Sequence, residues 1–338
     1  MRNTKHVFII AEVGSVHDGS FGNAKKLIEA AAACGVDAVK FQTHIPEAET
    51  LPDAPMPPYF KGEPRFEYFR RTGFTIEQWK ELKQHCDEQG VTFLSSPFSE
   101  EAVDLLEQAG LSEYKIPSGE VTNLPMLEKI AHIGKPVILS SGMSSWDEID
   151  RAVAVIQKHN APLTVLQCTS EYPVPYERVG LNIMQEMATR YNVPVGLSDH
   201  TLTNYAVFAA VTLGATVIEK HFTFSRLMYG SDARHSLEPV EMTDLVQGVR
   251  AIERMLAAAV DKRIEPYQEM KNIFEKSLIA ESDIPAGAVL TRELVGIKKP
   301  GTGISAARLN EFLGRKVKRA VAAGTLLAEE DFLNAKAQ

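Results

Sequence analysis

The sequence predicts a (β/α)8 barrel followed by a small β-rich domain, and three observations carry that expectation. From the start to about residue 258, short β-branched runs alternate with longer segments of helical periodicity, the signature of parallel βα units. There are eight such runs, whereas an open doubly wound sheet needs fewer strands and a Gly-rich first turn that is absent. After the charged stretch DKRIEPYQEMKN the texture changes to short strands and turns. The expected division is a barrel over 1–260, a linker over 261–275 and a small β-rich domain over 276–338.

The eight runs are VFIIAEVG (7–14), AVKFQTH (38–44), TFLSSPF (92–98), YKIPSGE (114–120), PVILSSG (136–142), TVLQCTS (164–170), VGLSDH (195–200) and ATVIEKHF (215–222). The segments between them read as helices. FGNAKKLIEAAAACG, for example, has Asn23 near its start, apolar residues at helical spacing and Gly35 at its stop. The connection after the second run, rich in Pro and aromatic residues, is too long for a simple turn and is a candidate substrate loop or lid. In the tail, DIPAG and AVAAG are each followed by two apolar residues and an acidic one, which suggests a hairpin-like unit used twice.

Composition narrows the class. The 338 residues are 44% hydrophobic, ample for a buried core. A net charge of −8 argues against a general binder of nucleic acid or anionic membranes, so any anion site must be local. The start of the chain reads as neither a signal peptide nor a membrane span. Cys34, Cys86 and Cys168 form no CxxC pair, which suits a reducing cytoplasm and buried thiols.

A barrel places its active site at the C-terminal ends of its strands, and those ends are strongly polar here. They offer Glu12; Lys40, Gln42 and His44; Ser95 and Ser96; Lys115, Ser118 and Glu120; Ser140 and Ser141; Thr169 and Ser170; Ser198, Asp199 and His200; and Glu219 and His221. Buried polar groups are unfavourable unless paired, so a ring of them at one mouth points to ligands. Lys40, Lys115 and the hydroxyls suit an anion carrying both phosphate and carboxylate. His200 and His221 end adjacent strands beside Asp199 and Glu219, so their imidazoles are candidates to share one divalent metal.

Those segments, FIIAEVGSVHDGS, DAVKFQTH, FLSSPFS, YKIPSGE, KPVILSSGMSS, CTSEYPVPYE, GLSDHT, EKHFT and YGSDARHSLEP, make the chain resemble the sialic acid synthases, including the N-acetylneuraminate, legionaminate and pseudaminate synthases. KKPGTGIS and LGRKVKRAVAAG look like the antifreeze-like (SAF, β-clip) domain of that family. The resemblance implies a transferase that condenses phosphoenolpyruvate with an open-chain N-acylated hexose, N-acetylmannosamine or a diacetamido-trideoxyhexose, adding water and releasing phosphate. It implies a divalent metal on His200 and His221, normally manganese, with magnesium and cobalt as other options. Phosphoenolpyruvate is then expected at Lys40, Ser96, Lys115, Ser118, Ser140, Ser170 and Ser198, and the sugar near Gln42, Glu120, Tyr172 and Asp232. Glu12 falls beside the metal and the aldehyde, and either Glu12 or Glu120 orients the attacking water. The family also implies a cytoplasmic homodimer in which one chain's antifreeze-like domain covers the partner's barrel. Lys299 stands where that family has an arginine reaching toward the acyl group, which bears on sugar specificity. The competing expectations are another phosphoenolpyruvate-condensing sugar-acid synthase, a Schiff-base aldolase using Lys40 or Lys115, and a non-enzymatic carbohydrate- or ice-binding protein.

Overall fold

A computed structural model describes residues 6–55 and 62–333, and the chain divides into two compact units, Met1–Ala258 and Ala259–Gln338.

In the first unit eight parallel strands form one sheet: β1 (Phe8–Gly14), β2 (Ala38–Thr43), β3 (Thr92–Pro97), β4 (Tyr114–Ile116), β5 (Val137–Ser140), β6 (Leu163–Cys168), β7 (Val195–Asp199) and β8 (Val217–His221). β1 pairs with both β2 and β8, and β3 packs against β4, so the sheet curls into a ring. The helices are α1 (Phe21–Ala33), α2 (Pro46–Glu49), α3 (Arg65–Thr72), α4 (Ile76–Glu88), α5 (Glu100–Ala109), α6 (Leu124–Ile133), α7 (Trp146–Lys158), α8 (Leu181–Tyr191), α9 (Tyr205–Thr212) and α10 (Pro239–Ala257). Side-chain caps start several of them. Ser20, Thr75, Ser99, Asn123 and Ser145 each accept from a first-turn N–H that the helix itself leaves unpaired.

Most strands end within a residue or two of the runs seen in the sequence. β4 is the exception, because Pro117 supplies no N–H for a ladder and 118–120 turns as a 3-10 helix instead. The long connection before β3 carries α2 and α3.

The strand period of two sorts the polar residues. Inside the ring, Ile10, Ala38, Leu94, Ile138, Leu166 and Val217 form a dry apolar floor. Two positions further along the same strands stand Glu12, Lys40, Ser96, Ser140, Cys168 and Glu219. The alternate residues face the helices: Ile9, Ala11, Val39, Leu139, Val165 and Ile218 join the large outer core.

The second unit has a core of its own around Leu278, Leu290, Phe312 and Phe332. β9 (Ser277–Ala280) pairs antiparallel with β10 (Val295–Lys298). The two similar tail segments meet each other: Ile284 and Val321 exchange both backbone hydrogen bonds, at 2.8 and 2.9 Å. Gly287 and Gly324 then turn with the same positive φ, and 3-10 turns at Arg292–Leu294 and Glu329–Asp331 follow at matching spacing. The segment before β9 is helical at Gln268–Phe274.

Candidate active site at the barrel mouth

Above the apolar floor lies a cavity of about 430 Å³ lined by residues from the ends of β1 to β8. Glu12, Lys40, Gln42, Lys115, Ser118, Ser140, Ser170, Tyr172, Ser198, His200, Glu219 and His221 all face it, together with Arg65 and Phe98.

Its floor is a charged tetrad. Lys40 Nζ lies 2.7 Å from Glu12 Oε2 and 3.8 Å from Glu219 Oε2, and it donates to Ser96 Oγ at 3.2 Å. Lys115 Nζ lies 3.3 Å from Glu219 Oε1, which also accepts from Ser198 Oγ at 2.9 Å. All four charged residues are almost fully buried. Burial alone would lower the pKa of Lys40, but the Glu12 and Glu219 carboxylates outweigh it and hold the ammonium above the usual lysine value. For Lys115 burial wins and the pKa falls, with Glu219 opposing. Burial would raise Glu219, and the two lysines overcome it and keep that carboxyl below the usual range. The tetrad is electrically balanced, yet its hydrogen-bonding capacity is not filled: among the described residues, Glu219 Oε2 and the hydroxyl of Ser140 are buried without a hydrogen bond.

One wall is an oxyanion-sized cradle. Gly142 N–H donates to Ser118 Oγ at 3.0 Å, and a Cβ at Gly142 would collide with the hydroxyls of both Ser118 and Ser170. Only glycine lets these two side chains close over the end of β5. Cys168 shares this wall, its thiol pushed up by burial.

On the opposite wall stand the histidines. The ring centres of His200 and His221 lie 5.4 Å apart, with Tyr172 tilted against His200 at 4.2 Å. His200 Nδ1 donates to the carbonyl of Thr169 at 2.9 Å, which leaves Nε2 as a free lone pair, and burial followed by the neighbouring His221 lowers its pKa to about 4. His221 Nδ1 is buried without a partner. Both rings are thus donors in waiting. A metal–nitrogen bond of about 2.1 Å lets two such rings share an ion at this separation, so the pair fits a divalent cation. No group of three or more His, Cys, Asp or Glu is arranged to hold a metal among the described residues, so further ligands would have to be water or substrate. Asp199, next to His200 in sequence, faces outward and holds the buried ammonium of Lys220 at 2.5 Å.

Around the rim, Glu12, Gln42 and Asp232 converge on Gly14. At φ +54° this residue needs the left-handed region, and a Cβ there would lie 2.7 Å from Asp232 Oδ2 and 3.3 Å from Gln42 Nε2. Gln42 Nε2 donates to Glu12 Oε1 at 2.8 Å, so its carbonyl faces His44 Nε2 at 3.1 Å as acceptor. His44 Nδ1 meets Glu49 Oε1 at 2.8 Å, and its ring is sandwiched between Phe69 and Phe98 at 3.6 and 4.1 Å. This chain fixes the face that Gln42 and Glu12 present to the cavity.

The cavity thus gathers most of the residues anticipated from the sequence. Ser96 reaches it through Lys40, and Asp232 through Gly14. Glu120 is set back: it accepts from Asn123 Nδ2 at 2.8 Å, burial raises its pKa, and it does not line the cavity. Lys299 belongs to the second unit, where its ammonium sits 4.9 Å over the Phe274 ring. Among the charged residues that line the cavity, Glu219 and Arg65 carried no expected role. Glu219 was legible, since Val217, Glu219 and His221 share one face of β8. Arg65 was not, because only its loop stood out.

Residues 27–261 match the NeuB family, and residues 275–333 match the SAF domain. The chain belongs to the NeuB family. Relatives of the family include the N,N'-diacetyllegionaminic acid synthase of Campylobacter jejuni, 41% identical with 92% of this chain and 96% of that protein covered. The human N-acetylneuraminate-9-phosphate synthase is 34% identical, with 96% and 92% covered. Among solved structures, the N-acetylneuraminic acid synthetase of Leptospira borgpetersenii in complex with citrate superposes with a TM-score of 0.69 at 31% identity, covering 80% of this chain and 93% of that one. Among the described residues no helix is long and apolar enough to cross a membrane.

Proposed function

We propose that this NeuB-family protein condenses phosphoenolpyruvate with the aldehyde form of an N-acylated hexose, giving a nine-carbon 2-keto acid and inorganic phosphate. The observation that carries the reading is one cavity holding two buried lysines and a hydroxyl cradle against one wall and a pair of neighbouring imidazoles against the other. In this reading Lys40 and Lys115 neutralise the carboxylate and phosphate of phosphoenolpyruvate, and Ser118, Ser170 and Ser140 take its phosphate oxygens, with the Gly142 N–H orienting Ser118. Gln42, Asp232 and Tyr172 hold the sugar. The carbon–carbon bond forms as the enol carbon attacks the aldehyde carbon, whose oxygen gains a proton. Water, oriented by Glu12, then adds at the former enol C2 and gives up its proton, and the tetrahedral centre expels phosphate. Glu12 is preferred to Glu120 because it faces the cavity. A divalent cation held by His200 and His221, manganese in the first instance, would supply Lewis-acid polarisation of the aldehyde.

A phosphate-release assay with product mass, run over a panel of N-acyl sugars, tests the reading. Product mass equal to sugar plus pyruvate, with phosphate in equal amount, supports it; formation of the same adduct when pyruvate replaces phosphoenolpyruvate, with no phosphate released, would indicate Schiff-base chemistry instead. His221→Ala is expected to abolish turnover with the melting temperature nearly unchanged, and metal-independent activity in that variant would refute the metal assignment.

The same reading includes a cytoplasmic homodimer with the SAF domain of one chain over the barrel of the other. Exposed apolar residues on the first unit, including Leu202, Tyr205, Leu227 and Val240, support an association surface. If sites are shared, a chain ending near residue 270 should be inactive alone and regain activity when mixed with full-length His221→Ala. Heterodimers that form without activity would disprove sharing.

A further inference from the structure

We propose that Arg65 is an acceptor-specificity residue whose guanidinium takes the carbonyl oxygen of a neutral N-acyl group on the sugar. This rests on the synthase reading and deepens it at one position. Arg65 is the first residue of α3, in the long connection between β2 and β3, and its side chain lines the same cavity as Lys40, Lys115 and the histidines. Its Cζ lies 5.3 Å from the centre of the Phe69 ring, so the ring steadies the guanidinium without occupying its N–H groups. The donors are not held. Nε is buried without a hydrogen-bond partner, and among the described residues the guanidinium forms no ion pair. Arginine is always charged and carries five N–H groups in a planar fork, and leaving buried donors unmet is unfavourable. A cavity-lining fork in that state is completed by oxygen atoms of a ligand.

Two features select the sugar over phosphoenolpyruvate. The first is position. At the floor, the charges that act most on Lys40, Lys115 and Glu219 are chiefly one another's and those of Glu12, whereas the charge of Arg65 is felt by Glu120 and His44 at the rim. The second is charge. Three acidic residues stand near that rim: Glu49 on His44, Asp232 against Gly14 and, set back behind them, Glu120. A phosphate dianion would be repelled by them, while a neutral amide carbonyl accepts from the fork without that penalty. The expected acceptor is therefore an uncharged acylamido sugar.

The test compares wild type, Arg65→Ala and Arg65→Lys with N-acetylmannosamine, its 6-phosphate and a diacetamido-trideoxyhexose. Saturation-transfer NMR on the acetyl methyl groups is recorded alongside the kinetics. Loss of one hydrogen bond to a charged group predicts that Arg65→Ala lowers kcat/KM for the neutral acylated acceptor that wild type uses by roughly 10- to 100-fold. KM for phosphoenolpyruvate should stay within about threefold, the acetyl-methyl signal should fall, and Arg65→Lys should recover little because it lacks the fork. An unchanged melting temperature certifies the fold, since Arg65 donates no hydrogen bond to the described protein. Phosphoenolpyruvate KM rising as much as acceptor KM overturns the inference, as does a loss confined to the 6-phosphate, which would make Arg65 a phosphate contact. A wild type that turns over but is indifferent to Arg65 overturns this inference alone. A wild type that condenses none of the sugars overturns the synthase reading and this inference with it.

Discussion

Two buried lysines, four strands apart around the ring, show how scaffold and site differ in one fold. Lys220 on β8 faces outward, where its ammonium donates to Asp199 Oδ2, to the carbonyl of Thr201 at 2.5 Å and to that of Thr203 at 3.1 Å. Asp199 is filled in turn by the N–H and hydroxyl of Thr201 at 2.9 and 2.8 Å. Every strong donor and acceptor there has a protein partner. Lys115 on β4 faces inward, where among the described residues its one hydrogen bond is to the carbonyl of Ile116 at 3.3 Å, and its carboxylate neighbour Glu219 keeps one oxygen without a hydrogen bond. Burial is equal in the two places; saturation is not. A closed network stabilises the fold, and an open one at the same depth is capacity reserved for a ligand.

The largest expected effect comes from breaking the closed pair. Asp199→Ala leaves the Lys220 charge buried and uncompensated, and should lower folding stability by about 3–5 kcal/mol in denaturant titration. Lys115→Met is the matched opposite. It removes an ammonium that burial already disfavours but leaves Glu219 with Lys40 alone at 3.8 Å, so stability should fall by less than in Asp199→Ala, about 1–2 kcal/mol, while phosphoenolpyruvate binding is lost. Similar stability losses in both variants would erase the distinction.

That distinction also marks what was legible in the sequence. Strand runs with polar ends gave the barrel and its mouth, because a period of two survives any detail of packing. Which polar residue faces inward was harder: Ser95 and Ser96, or Ser198 and Asp199, look alike as strings. Only register separates the outward Ser95, bonded to Thr43 at 2.7 Å, from the inward Ser96. Ser141, too, is spent on the carbonyl of Leu166 at 2.9 Å. Asp199 looked like support for a metal and serves Lys220 instead. Arg65 stayed hidden because a helix in a long connection has no strand phase to reveal its direction. The tail repeat was faint because DIPAG and AVAAG share little beyond glycine spacing; their mutual pairing appears only in three dimensions.

A smaller effect is expected with pH, at a buried group outside the cavity lining. His17 accepts from the Gly19 N–H at 3.1 Å, packs 4.6 Å from the Phe74 ring, and has its pKa lowered to about 4 by burial and then by His44. The unfolded chain therefore takes up this proton at a higher pH than the folded one. Its contribution is complete above about pH 6.5 and is lost as the pH falls toward 4, by at most about 3 kcal/mol. Unfolding curves at pH 7, 5.5 and 4 for wild type and His17→Gln check the sign: the variant should lose less stability over that window. An equal loss would assign the acid sensitivity to other groups.

The smallest effect, and the finest probe of saturation, is a matched pair of hydroxyl deletions. Thr201 Oγ1 donates to Asp199 Oδ2 and lies 3.3 Å from Lys220 Nζ, so Thr201→Val strips a bond from a buried charge and should lower stability by about 1–3 kcal/mol. Ser140 Oγ is as deeply buried but has no partner, so Ser140→Ala removes an atom the folded protein does not use. Its stability should change by less than about 0.5 kcal/mol, or improve, because an unmet buried hydroxyl is itself unfavourable. Ligand binding should report the reverse. Ser140→Ala is expected to weaken phosphoenolpyruvate roughly 5- to 10-fold, as loss of one hydrogen bond to a charged oxygen requires, while Thr201→Val leaves that affinity nearly unchanged. Calorimetry with phosphoenolpyruvate and urea titration on the same two proteins give all four numbers. If Ser140→Ala lowers stability without weakening the ligand, its hydroxyl is structural, and an unfilled donor at this depth does not mark a binding surface.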